Sequence, residues 1–260
     1  MDKNRRKFLK LAGLTALGVT VGRYTKIFAN NSSSKIPIVK SSSETDLTQR
    51  WAMVVDLRKC FIEDNCRLCI DACHKTHNVP DLSNPKDEIK WIWREDFENV
   101  FIDQENHYLK ETLKQKRAPI FCNHCDNPPC VRVCPTQATW KRDDGIVMMD
   151  WHRCIGCRYC IVACPYGSRS FNWKDPRPYI KEITPDYPTR TKGVVEKCTF
   201  CDERLARGLN PACVEACTEK ALIFGDLNDP KSDVRELLRE NFSIRRKPGL
   251  GTNPEIFYIV

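Results

Sequence analysis

The sixteen cysteines of this 260-residue chain fall into four groups of four, with none left over. The third group, CIGCRYCIVACP, places Cys154, Cys157, Cys160 and Cys164 at C-x2-C-x2-C-x3-C and closes on proline. Three thiols at such spacing can close round one face of a cubane iron-sulfur cluster, while the fourth leaves on a helix and points at a second cluster. A chain of this kind folds round paired inorganic cores, and its first expected property is electron transfer.

The remaining groups vary the loop and keep the ending. Cys122, Cys125, Cys130 and Cys134 are spaced C-x2-C-x4-C-x3-C and also end in Cys-Pro. Cys198, Cys201, Cys213 and Cys217 are spaced C-x2-C-x11-C-x3-C, and Cys60, Cys66, Cys69 and Cys73 are spaced C-x5-C-x2-C-x3-C. Four complete sets predict four [4Fe-4S] clusters with all sixteen cysteines as metal ligands. Paired C-x2-C motifs also build zinc sites, but zinc does not call for three ligands within seven residues. A disulfide framework suits small secreted chains that lack a core, whereas this one is long enough, and at 41% apolar rich enough, to bury its own. Covalent haem in its usual form is excluded, because Cys73-His74 closes a three-residue gap instead of C-x-x-C-H.

The chain opens with Arg5-Arg6 ahead of Phe8-Leu9-Lys10, an apolar stretch from Leu11 to Val21, and Ala29 as a cleavage point. This pattern reads as a twin-arginine export signal over 1–29, followed by a Ser-rich tether over 30–50. Its apolar stretch is short for a membrane span. Export by a route that carries folded cargo is compatible with clusters inserted beforehand, and it places the protein at the periplasmic or extracytoplasmic face. The formal charge of +8 is largely the signal's: 1–29 carry seven basic residues and one acid, which leaves +2. Four clusters at about −2 each turn that into roughly −6, so no nucleic-acid partner is expected.

Between the second and third groups, two short strand patterns flank Asp144-Gly145, a hairpin turn pair. The expected fold is α+β: two interleaved ferredoxin-like modules, each with two [4Fe-4S] clusters, decorated by loop insertions and a C-terminal helix-strand extension. The expected divisions are 51–121 for the first part of the outer module with its insertion, 122–189 for the inner module, 190–225 for the second part of the outer module and 226–260 for the extension. Within 74–121, EIKWIWR reads as a strand with Ile89, Trp91 and Trp93 on one face, and a helix is expected near Tyr108 to Lys116. The tryptophans read as core cover and His74 and His77 as surface or capping residues. His124 is not needed as a ligand. Residues 166–197 read as irregular, and the strand in EKALIFGDL is expected to break at Gly225. A helix from Asp229-Pro230 through Asn241 and a strand from Ile256 to Val260 read as packing elements.

The four groups in this order, the CNHCDNPPC loop, the long gap in the fourth group and the LGTNP close resemble the four-cluster ferredoxin subunits of membrane-linked redox complexes over 51–260. These serve molybdopterin oxidoreductases or polytopic quinone-reactive membrane subunits of the NrfD type. RWAMVVDLRKC, ACHKTHNVP and EIKWIW, with the signal, are most similar to periplasmic iron-sulfur subunits of Dsr transmembrane complexes, associated with dissimilatory sulfite reduction. The resemblance implies crossed ligation: Cys122, Cys125 and Cys130 with Cys164; Cys154, Cys157 and Cys160 with Cys134; Cys60, Cys66 and Cys69 with Cys217; and Cys198, Cys201 and Cys213 with Cys73. It further implies a non-catalytic subunit of an oxidoreductase complex that carries single electrons between the membrane subunit and another periplasmic redox subunit. A multihaem cytochrome c is a possible further partner in a sulfur-metabolising complex, and the alternative is the beta subunit of a molybdopterin oxidoreductase. Two features depart from the family pattern: five residues, FIEDN, separate Cys60 from Cys66, and Thr218 and His74 stand where proline would follow Cys217 and Cys73.

Overall fold

A computed structural model describes residues 49–260. The expected signal and nearly all of the tether lie outside the described residues. The described chain starts in β1 (Trp51–Asp56), whose alternate residues enter two different apolar layers. Asp56 then caps α1 (Leu57–Cys60), its carboxylate accepting the Arg58 N–H at 3.1 Å. After the FIEDN loop comes α2 (Leu68–Thr76). The insertion that follows is a pair of antiparallel strands, β2 (Trp93–Asp96) and β3 (Arg117–Ile120), enclosing α3 (Phe97–Val100) and α4 (Glu111–Lys114).

The strand expected from Ile89 begins only at Trp93. Ile89, Trp91 and Ile92 are all buried, so the segment packs on two sides and the one-face alternation fails. The helix expected near Tyr108 is confined to Glu111–Lys114.

The inner region contains α5 (Pro129–Arg132), the hairpin of β4 (Thr139–Lys141) with β5 (Val147–Met149), and α6 (Tyr159–Ala163). Thr139 pairs with Met149 across the expected turn. Residues 166–197 are less irregular than expected, because β6 (Ser170–Phe171) and β7 (Val195–Glu196) pair at the ends of the segment. Inside it, Arg190 and Glu196 form a fully buried ion pair at 2.6 Å. Two short helices, α7 (Asp202–Leu205) and α8 (Ala212–Glu215), then lead to β8 (Leu222–Asp226), α9 (Asp233–Glu240), β9 (Ser243–Ile244) and β10 (Ile256–Ile259).

The largest sheet has the order β8-β1-β10-β9. Its two central strands are the first and last of the described chain, running parallel with Met53 opposite Ile256. One face carries Ala52, Val54 and Ile259 against Val234 of α9. The other carries Met53, Val55, Ile256 and Tyr258 into the large core that also holds Cys73, Cys122, Cys198 and Cys213. β8 does not break at Gly225, which pairs with Ala52. The glycine serves close packing instead: a Cβ there would stand 3.1 Å from Val234 Cγ2, so α9 sits directly on the strand backbone.

Candidate metal centres

The local plan of each cysteine group is a loop running into a helix. Cys69, Cys130, Cys160 and Cys213, the third residues of their groups, lie in the first turns of α2, α5, α6 and α8. The fourth cysteine is one helical turn further on, about 6 Å along the axis, and so faces a different space. α2 packs against α8, and α5 against α6. Each helix pair therefore exchanges its fourth cysteines.

The resulting neighbourhoods are four. A first cavity is lined by Cys60, Cys66, Cys69 and Cys217, together with Arg94 and Leu222. A third is lined by Cys122, Cys125, Cys130 and Cys164, with Tyr166, Ser168 and Arg169. A fourth is lined by Cys134, Cys154, Cys157 and Cys160, with Thr136, Thr139 and Met149. The second neighbourhood sets Cys73 beside Cys201, Cys198 and Cys213, and all four are buried. Neighbouring sites face each other through Cys69 with Cys213 and Cys73, Cys122 with Cys198, and Cys130 with Cys160. The order is thus first, second, third, fourth.

These donor sets fit cationic iron-sulfur clusters. All sixteen cysteines are free of disulfides, and soft thiolates select such metals. Burial, opposed by Arg94, pushes the Cys60 thiol up to about 11, and burial together with neighbouring thiols pushes Cys69 and Cys125 up to about 12. A thiolate in these places needs positive charge beside it, which a bound metal provides.

Backbone N–H groups converge on the sulfurs. Ala221 donates to Cys217 at 3.2 Å, Phe200 to Cys198 at 3.4 Å and Ala212 to Cys201 at 3.4 Å. Around Cys134, burial is outweighed by the N–H groups of Thr139, Thr136 and Ala138 and the Thr136 hydroxyl, and the thiol is lowered. Left-handed residues three positions after the fourth cysteine, namely Gln137, Gly167 and Lys220, turn these loops inward. The turn after Cys217 forms without the proline that Thr218 replaces. Cys73 has no such turn, because α2 continues through Thr76. In its place His77 sits 3.6 Å from the Cys73 sulfur, donates through Nδ1 to the Cys73 carbonyl at 2.8 Å and lies 3.1 Å from Glu203.

Of the two readings of His77, surface or capping, the capping one holds: it is the C-cap of α2, buried and stacked on Trp91 at 4.6 Å. His124 is also buried, accepting the Val147 N–H at 3.1 Å and stacking on Phe200 at 3.8 Å. The FIEDN loop is braced from the insertion. Arg94 donates to the carbonyls of Asp64 at 2.6 Å and Cys66 at 3.1 Å, and Lys116 to that of Phe61 at 3.1 Å and to the Asp64 carboxylate. At the opposite end, Gly156 has φ +69°, and a Cβ there would lie 2.4 Å from the Gly193 carbonyl. Sequence reasoning singled out none of Arg94, Arg169, Lys197 or Gly156, since their roles rest on contacts distant in the chain.

Residues 113–179 and 178–227 match the family described as 4Fe-4S dicluster domain. The chain is 41% identical to the Hdr-like menaquinol oxidoreductase iron-sulfur subunit 1 of Archaeoglobus fulgidus, over 98% of this chain and 97% of that one. This protein belongs to the 4Fe-4S dicluster family of iron-sulfur subunits. It is also 38% identical to the menaquinone reductase iron-sulfur cluster-binding subunit of Nitratidesulfovibrio vulgaris, over 84% of this chain and 91% of that one. The arsenate respiratory reductase iron-sulfur subunit of a Shewanella species is 40% identical, over 81% of this chain and 96% of that one. Like these iron-sulfur subunits of oxidoreductases, the chain is an electron-transfer subunit and not the catalytic one. Among the described residues no helix is long and apolar enough to cross a membrane.

Proposed function

We propose that the protein holds four [4Fe-4S] clusters, one at each cysteine neighbourhood, with crossed ligation by all sixteen cysteines, and passes electrons along them in the order of the sites. When bound, each cluster takes up and releases one electron at a time. The chain's own contribution is to hold four thiols at each site, to direct N–H groups at the sulfurs and to bury the second site completely. The row of four cysteine sets, each facing the next, carries the reading. Anaerobic analysis of the full chain is expected to give about sixteen iron and sixteen sulfide, the content of four cubanes. Zinc in place of iron, or a colourless protein, would overturn it.

The partner we propose is a polytopic quinone-reactive membrane subunit of the NrfD type, at the periplasmic face reached by twin-arginine export. Support comes from the similarity to subunits of a menaquinol oxidoreductase and a menaquinone reductase. A Dsr-type sulfur-respiration complex, with a multihaem cytochrome c, is the finer assignment. The second reading, the beta subunit of a molybdopterin oxidoreductase, is favoured by the similarity to the arsenate respiratory reductase iron-sulfur subunit, which extends over 96% of that chain. The proteins that co-purify from detergent decide between them.

A further inference from the structure

Among the described residues four arginine and lysine side chains are buried, Arg169, Arg190, Lys197 and Arg246, and only Arg190 has an acidic partner. Arg190 is neutralised by Glu196. Arg169, 4% exposed, donates to Cys130 Sγ at 3.1 Å and to the Thr139 hydroxyl at 2.8 Å. Lys197, 0% exposed, donates to the Cys198 carbonyl at 2.7 Å and to that of Val147. Among the described residues neither makes an ion pair with a carboxylate. An isolated buried cation is strongly unfavourable, so each must be offset by an opposite charge nearby. The nearest candidates are cysteines: Cys130, Cys160 and Cys122 for Arg169, and Cys122, Cys198 and Cys130 for Lys197. Both cations thus share Cys122 and Cys130 of the third site, while Arg169 alone also reaches Cys160 of the fourth and Lys197 alone Cys198 of the second. Arg246, also buried, stacks on Tyr166, which lines the same cavity. At the second site the one buried cation, Lys197 beside Cys198, is opposed by Glu203, which lies beside Cys201 and Cys198.

We infer that Arg169 and Lys197 are potential-setting residues that make the third site the most readily reduced of the four, an electron reservoir between the buried second site and the fourth. The inference rests on cluster occupancy as proposed above. Reduction adds one electron from the donor to the cluster and breaks no bond. The added negative charge is stabilised by two cations that water cannot screen, while Glu203 opposes the same step at the second site.

The test is an equilibrium redox titration of the full, cluster-loaded chain, with dithionite as reductant and electron paramagnetic resonance as readout. Iron content is measured first, so that failure of cluster occupancy is seen separately. Arg169→Met and Lys197→Met should each lower the reduction equilibrium constant of the first-reduced cluster about tenfold, a shift of about 59 mV for a one-electron couple. Arg169→Lys, which keeps the charge, should restore most of it. Full iron content with less than about a twofold change in either Met variant would overturn the inference. Should either Met variant fail to load iron, the unmodified protein with 15N-labelled arginine decides. The first-reduced signal should carry a 15N coupling from the guanidinium at Cys130, and its absence would overturn the assignment.

Discussion

Arg94 and the FIEDN loop illustrate how single residues complete a site whose ligands alone leave it loose. The loop gives Cys60 a wider arc than the other first cysteines have, and two carbonyl contacts from Arg94 set its course. Hydrogen bonds to a charged group contribute about 1.5–3 kcal/mol each when well formed. Arg94→Ala should therefore cost about 2 kcal/mol, concentrated at the first site, with iron falling from about sixteen toward about twelve under mild aerobic handling. Metal analysis beside a thermal melt checks this, and loss of iron shared over all sites would contradict it. At this scale the sequence displayed the thiols plainly, because ligand spacing is one-dimensional. It was silent on Arg169 and Lys197 and on the burial of His77, since a basic residue or a histidine shows its burial only once remote segments pack round it. For His77 the capping alternative held and the surface one failed for that reason.

Elements reveal why the ending C-x3-C recurs while the loops vary. A helical turn is the unit that carries one thiol out of its own cavity and into a neighbour's, so the step is preserved where loop length is free. Cys164→Ala should then disturb the signal of the site formed by Cys122, Cys125 and Cys130, leaving the site of Cys154, Cys157 and Cys160 with four thiols. Spectroscopy showing a three-cysteine site at the latter would refute the crossing. The sheet makes a second demand. β10 lies between β1 and β9, so deletion of residues 256–260 should leave β1 paired with β8 alone and weaken the first and second sites, with iron dropping toward about eight while the inner two persist. The β4-β5 hairpin was legible from its turn pair. The course of β8 through Gly225 was not, because a glycine that permits close approach and one that breaks a strand look alike until α9 is in place.

For the whole molecule, the four-by-four arrangement and the α+β class could be read from the chain, whereas the central place of its last strand could not, as short terminal strands carry no sign of their partners. Replacement of Arg5-Arg6 by Lys-Lys should retain a full-length, cluster-loaded precursor in the cytoplasm, detected by fractionation; normal export would point to another route. The pairing of β1 with β10 joins Met53 to Ile256, and the first site joins Cys60 to Cys217. Contacts of such sequence separation are slow to form and cannot begin before the ribosome has delivered the far end. The third and fourth sites, contained between Cys122 and Cys164, are free of that delay. Maturation should consequently run from the middle outward, with β10 acting as a timer that withholds the completed sheet until residues 256–259 have been made.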